Sequence, residues 1–138
     1  MKQLKFHILA MLLIMTAFAI EGSAKDRMTR IYIFGISASF NDSIVYVTDI
    51  QELDSAYLTQ KSKFLVGRDN YSYQLRDYLA EKGENHRTCF VSFAEKRKDI
   101  EKKYLKMRKR FLDKGNFILK ILNLDEFAFQ AIAPDEEP

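Results

Sequence analysis

The sequence predicts an α/β protein of the α+β two-layer sandwich class, with elements in the order β-β-α-β-α-β. Segments rich in β-branched and aromatic residues alternate with segments whose apolar residues recur at helical spacing. The 138 residues suffice for one core, and they include only five Gly, two Pro and one Cys. This composition excludes collagen-like, low-complexity and disulfide-framework proteins.

The first half of the domain reads as a hairpin followed by a helix. Residues 30–37 (RIYIFGIS) and 43–50 (SIVYVTDI) predict two strands, and Asn41-Asp42 between them predicts the turn. In residues 69–82 the apolar side chains recur at helical spacing, and Gly83 follows where a helix C-cap belongs. These segments supply the β-β-α part of the order.

The second half adds a strand, a long helix and a last strand. Residues 87–93 (RTCFVSF) predict the third strand and residues 117–122 (FILKIL) the fourth. Between them, residues 95–114 carry one apolar stripe and end before Gly115. Residues 126–132 are a candidate for a short edge strand. The order predicts a mixed sheet of four to five strands with both helices on one face.

The N-terminus has the pattern of a cleavable secretory signal over residues 1–24. Lys2 and Lys5 precede an apolar run of 13 residues (8–20), and small residues lie before a cut at Lys25. A membrane anchor would need about 17–25 apolar residues. We therefore expect export to the periplasm or the medium, a mature chain without a transmembrane segment, one domain over residues 25–132 and an acidic flexible tail over 133–138.

Alternation along the strands predicts two different sheet faces. One set is aliphatic and suits a helix-covered core: Ile31, Ile33, Val45, Val47, Cys89, Val91 and Phe93. The other set includes Tyr32, Phe34, Tyr46 and Phe90, and we single out these four as a candidate binding surface. The alternative is that residues 53–68 or the C-terminal tail cover this second face.

The second helix is strongly basic. Residues 95–114 hold ten Lys or Arg against four Asp or Glu, although the whole chain has a net charge of only +3. Lys102, Lys103, Lys106, Lys109 and Arg110 are the candidate ligand-binding cations. An anionic glycan or lipid, or an unknown envelope protein, is the expected partner, and nucleic acid is disfavoured because no RNA-recognition motif is present. The alternative is a solvated helix face.

No catalytic, metal or cofactor motif stands out. His86 precedes Cys89 by three residues, so on one strand the two side chains point to opposite faces and form no dyad. Asp49, Glu52 and Asp54 lack the spacing and glycine of a calcium loop. We therefore predict no cofactor, no metal ligands and no catalytic residues, and we leave open whether the protein is an enzyme.

Three segments resemble small exported α/β proteins of Bacteroidetes-type bacteria that have no characterised function. They are FGISASFNDSIVYVTDI (34–50), FLVGRDNYSYQLRDYLAEKG (64–83) and RTCFVSFAEKRKDIEKKYLKM (87–107). The resemblance implies export and brings no activity with it.

The leading hypothesis is an exported binding or interaction module of the cell envelope. Two alternatives belong to other classes. One is a small envelope hydrolase that uses carboxylates around Asp49–Asp54, together with His86. The other is a structural subunit that associates with itself through the sheet.

Overall fold

The computed structural model describes residues 26–134. The predicted signal of residues 1–24 and the last four residues of the predicted acidic tail lie outside the described residues. The described elements are β1 (Arg27–Ala38), β2 (Ile44–Thr48), β3 (Gln51–Leu58), α1 (Arg68–Glu81), β4 (Thr88–Ala94), α2 (Arg97–Lys114) and β5 (Ile118–Leu122). A mixed five-stranded sheet with two helices confirms the predicted α/β class. The order differs in one place, because β3 adds a strand before α1.

Strand β1 lies at the centre of the sheet and is paired along both edges. It runs antiparallel to β4 over residues 32–38. Along its other edge it pairs first with β3 and then with β2, again antiparallel. Strands β2 and β3 are thus two sections of one long hairpin arm. Strand β5 runs parallel to β2 on the outside, which makes the sheet mixed.

The junction between β2 and β3 is held by one hydroxyl. The Thr48 Oγ1 accepts a hydrogen bond of 2.8 Å from the Gly35 backbone N–H, and it donates one of 3.1 Å to the Asp49 carbonyl. These bonds replace the ladder pairing that the irregular backbone at residues 49–50 gives up. Because Thr48 is buried, its hydroxyl needs hydrogen-bond partners within the protein, and Gly35 and Asp49 provide them.

The two helices pack on opposite faces of the sheet, which corrects the expectation that they share one face. Ile31 and Ile33 of β1 pack with Leu75 of α1. Phe34 and Ile36 pack in a second cluster, with Ile100 and, at its margin, Tyr104 of α2. The physical reason is that residues 31–36 of β1 are apolar on both faces apart from Tyr32 and Gly35. Each face therefore needs its own cover.

The predicted division of strand residues between the two faces is also wrong for β2. Ile36 pairs with Val47, and Ser37 pairs with Tyr46. Val47 and its neighbour Val45 therefore lie with Phe34 under α2, not with Ile31 under α1. The number of residues in the turn sets this parity, and a shift of one residue moves every side chain of β2 to the other face.

After β5 the chain crosses the α1 face as an extended strap over residues 127–132, which we call the C-terminal strap. It forms no edge strand, because side chains bind its backbone instead of a neighbouring strand. The Gln51 amide pairs with both the N–H and the carbonyl of Phe129, at 2.7 and 2.8 Å. Gln74 holds Gln130 in the same way, at 2.9 and 3.0 Å. Three apolar side chains of the strap, Phe127, Phe129 and Ile132, complete the core under α1.

We expect Gln51→Ala to release the centre of the C-terminal strap. The change removes two hydrogen bonds, each contributing about 1 kcal/mol to the free energy of unfolding. Hydrogen exchange at the Phe129 amide should become about tenfold faster or more. The matched control is Gln60→Ala, because Gln60 is exposed in the turn after β3 and should leave this amide unchanged. Unchanged exchange in the Gln51 variant would contradict the proposed clamp.

Candidate functional site

The basic helix α2 is fixed over the sheet by an apolar stripe. Its side chains Ile100, Tyr104, Met107 and Phe111 recur every three or four residues and face the sheet. The Tyr104 ring packs edge-on against Phe34, with 5.1 Å between the ring centroids. The helix ends at Gly115, which adopts a left-handed conformation with φ of 71°. This docking fixes which flank of the helix faces β4.

A groove lies between α2 and the β1–β4 part of the sheet, and we call it the aromatic groove. Its apolar lining comes from Phe34, Ile36, Phe90, Met107 and Phe111, with Ser92 among them. Its rim carries Lys103, Lys106 and Arg110, and its volume is 260 Å³. The three cations lie at i, i+3 and i+7 on one flank of the helix. The groove therefore combines an apolar floor with a cationic edge.

A second, wider groove of 780 Å³ adjoins it toward the start of α2, and we call it the lysine groove. Its lining comprises Leu58, Lys63, Phe93, Ala94, Glu95, Lys96, Asp99, Lys102, Lys103 and Lys106. Lys103 and Lys106 line both grooves. The two openings are thus neighbouring parts of one surface, which runs along the β4 flank of the helix.

The lysines of this surface have no acidic partner in the part of the chain that the structure describes. Every ion pair found there within 4.0 Å uses an arginine. Lys103 donates one hydrogen bond of 2.8 Å to the Phe93 carbonyl, and an ammonium group has three donors. Two of its donors therefore stay available. A cluster of cations that are not paired with carboxylates is a surface to which an anion binds favourably.

The four aromatic residues predicted as one binding face are divided by the structure. Phe90 lines the aromatic groove and is 45% exposed, whereas Phe34 forms its floor and is only 1% exposed. Tyr32 is half-buried on the same face, with the Arg97 guanidinium 5.9 Å from its ring centroid. Tyr46 lies on the opposite face, under α1, because it pairs with Ser37 of β1. Its inclusion in one face with the other three is therefore wrong.

The five predicted cations are also placed differently from one another. Lys103, Lys106 and Arg110 rim the aromatic groove, and Lys102 lines only the lysine groove. Lys109 follows Met107 by two residues, which is about 200° around the helix, so it lies on the side away from the sheet. It lines neither groove.

Sequence reasoning missed a buried arginine at the start of β4. The Arg87 side chain is 1% exposed. Its guanidinium donates to the Ser37 Oγ at 2.9 Å and to the Ser37 carbonyl at 3.3 Å. It also donates to the Ile44 carbonyl and to the Asp42 carboxylate, the latter at 3.2 Å. The Asn41-Asp42 turn places a carboxylate in this region, but no sequence pattern indicates that Asp42 pairs with Arg87.

Tyr46 covers the same guanidinium. Its ring centroid lies 4.8 Å from the Arg87 Cζ, within cation–π distance. Its hydroxyl donates to Glu84 at 3.1 Å, and burial together with this carboxylate raises the pKa of the phenol above its usual value. Each nitrogen of the Arg87 guanidinium donates to a protein atom. We therefore assign this cluster to the fold and not to ligand binding.

The residues considered for catalysis are not brought together. Glu52 and Asp54 both bind Arg30 on β1, at 3.0 and 3.1 Å. His86 lies next to the Ala38 end of β1, eight residues from Arg30, or about 26 Å along the strand. Cys89 is half-buried, and burial raises the pKa of its thiol. This placement gives the hydrolase alternative no assembled site among the described residues.

Comparisons of the chain with protein-family models, with curated proteins and with solved structures find no match. Among residues 26–134, neither helix is both long and apolar enough to span a bilayer. What this chain binds is therefore inferred from the side chains of its own grooves.

Proposed function

We propose that this chain is an exported binding module of the cell envelope whose ligand is an anionic amphiphile. Export is proposed from the signal-like composition of residues 1–24. The apolar chain of the ligand would lie in the aromatic groove, against Phe90 and Met107, and its anionic head would meet the cations on the rim.

The observation that carries the proposal is the partly open ring of Phe90 beneath three cations. An apolar surface stabilises a bound hydrocarbon through loss of water contact, at about 25 cal/mol for each Å². Lys103, Lys106 and Arg110 supply attraction for a head that carries negative charge. A hydrophilic glycan would leave the apolar lining unused, whereas a neutral hydrocarbon would leave the cations unused. An amphiphile uses both.

The groove also limits the size of the bound apolar part. Its 260 Å³ lies just below the range of about 300–1,000 Å³ that is usual for sites of drug-sized ligands. A single short hydrocarbon segment fits this volume, and a pair of long acyl chains does not. We therefore expect medium-length single-chain amphiphiles to bind as well as longer ones.

Calorimetric titration with decyl phosphate, below its micellar concentration, tests the proposal. The parent should bind decyl phosphate and should not bind decyl glucoside, which has the same chain and a neutral head. Phe90→Ser should weaken binding about tenfold, because the apolar contact is lost. Lys106→Gln with Arg110→Gln should weaken it several-fold at low salt, and this difference should shrink as salt rises.

The matched control removes the same charge from the same helix outside the groove. Lys98→Gln with Lys109→Gln should leave decyl phosphate binding nearly unchanged. If both double variants lost the same affinity for decyl phosphate, the effect would come from the net charge of the helix. The proposal that the aromatic groove binds the ligand would then be refuted. A doubled mass in solution that Phe90→Ser abolishes would instead assign the groove to a second copy of the chain.

A further inference from the structure

We infer that the lysine groove is a second subsite of the same surface, and that it receives a further phosphate group on the head of the amphiphile. The inference rests on the proposed function and names its ligand class more narrowly: a single-chain amphiphile with a multiply phosphorylated head. The two grooves differ in what they offer a ligand, and this difference fixes which end of the ligand each one takes.

The shared residues make the two grooves continuous. Lys103 and Lys106 line both, so an anion held between them has one groove on either side. From Lys96 to Arg110 the helix advances by 14 residues, or about 21 Å at 1.5 Å per residue. Cations recur along this length on the flank that faces β4. One extended head with several charges can therefore contact them in sequence.

Seven of the ten residues that line the lysine groove are charged, against three of the nine that line the aromatic groove. Of its apolar lining residues, Leu58 is fully buried and Ala94 nearly so, and Phe93 is half-buried with the Lys103 ammonium 5.7 Å from its ring centroid. In the aromatic groove, by contrast, Phe90 offers an apolar ring that is 45% exposed. Burial of the hydrocarbon is therefore more favourable in the aromatic groove. The charged head then extends toward Lys96.

The charge balance of the lysine groove favours an anion. Five lysines line it against two carboxylates, Glu95 and Asp99. Glu95 is already paired with Arg27 at 2.8 Å, so its charge is largely compensated. A lysine ammonium is a compact charge that suits phosphate oxygens. The excess of cations matches a head with more than one phosphate.

One of these lysines comes from another part of the chain, from a turn whose backbone is closed by hydrogen bonds. Lys63 lies in the turn between β3 and α1, and its N–H donates to the Thr59 carbonyl at 3.0 Å. Thr59 in turn donates to the Phe64 carbonyl at 2.9 Å, which closes the turn. The groove is therefore bordered by cations from two sides and not only by one helix face.

The test compares decyl phosphate, decyl triphosphate and inorganic triphosphate by calorimetry at low salt. The parent should bind decyl triphosphate about tenfold more tightly than decyl phosphate, because further phosphates meet further lysines. Lys63→Gln with Lys96→Gln should remove most of this tenfold gain and leave decyl phosphate within about twofold of the parent. Lys98→Gln with Lys109→Gln is the control of equal charge and should retain the gain.

The outcomes separate this inference from the proposed function. If decyl phosphate binds and depends on Phe90, but triphosphate brings no gain, the second subsite is refuted and the proposed function stands. If inorganic triphosphate binds through Lys63 and Lys96 while decyl phosphate does not bind, the proposed function fails and the ligand is a simple polyphosphate. Tighter binding of a short oligodeoxythymidine than of decyl triphosphate would overturn the amphiphile in favour of single-stranded nucleic acid.

Discussion

Arg87→Ala is expected to lower the free energy of unfolding by about 3 kcal/mol. The guanidinium is buried just before β4 and donates to acceptors on three other segments: β1, the turn before β2 and the first residue of β2. Alanine leaves the Ser37 hydroxyl and carbonyl and the Ile44 carbonyl without their donor. Each buried acceptor left unpaired costs about 1–3 kcal/mol of stability. Water that enters the space and binds an acceptor lowers this cost.

Urea denaturation of Arg87→Ala and of two comparison variants measures this effect. Arg87→Lys should recover only part of the loss, because one ammonium cannot reach acceptors that lie around a planar fork. Arg76→Ala is the matched control, since Arg76 forms an exposed pair with Asp77 and should cost less than about 1 kcal/mol. If Arg87→Ala cost no more than Arg76→Ala, the buried cluster would not be stabilising the fold.

The elements of this fold could be predicted largely from local pattern, but β3 could not. Its buried residues are Leu53, Ala56 and Leu58, so the period of two is broken between the first two. The pairing with β1 shifts at the same place, between Thr29 and Ile31. A bulge inserts one residue and changes the face of everything after it. Alternation therefore does not identify this strand until its partner is known.

The candidate site was predicted in separate parts, and its assembly was not. Phe90 and Lys106 were both singled out from the sequence, one for its aromatic face and the other for the basic helix. With both helices expected on the aliphatic face, these two surfaces would have lain on opposite sides of the sheet. Helix α2 covers the aromatic face instead and brings them into one groove. Which face a helix covers depends on long-range packing, which local periodicity does not encode.

Gly35→Val is expected to destabilise the protein about as strongly as the loss of Arg87, by about 3 kcal/mol. A Cβ at residue 35 would lie 2.8 Å from the Leu75 Cδ2 of α1 and 2.9 Å from the Phe129 Cζ of the C-terminal strap. Both side chains are buried and have little room to move. Valine has a better strand propensity than glycine, but the whole propensity scale spans only about 1 kcal/mol.

Gly35→Ala, with a smaller side chain, should cost about 1–2 kcal/mol and keeps the test measurable if the valine variant does not fold. A double-mutant cycle with Leu75→Ala then identifies the cause. The truncation alone should cost about 3–5 kcal/mol by leaving a cavity, and a methyl group at residue 35 partly fills that cavity. The double variant should therefore be more stable than the sum of the single effects by about 1 kcal/mol or more. Strict additivity would show that helix, sheet and strap do not meet at Gly35 as closely as these distances require, and the packing of the α1 face would need another explanation.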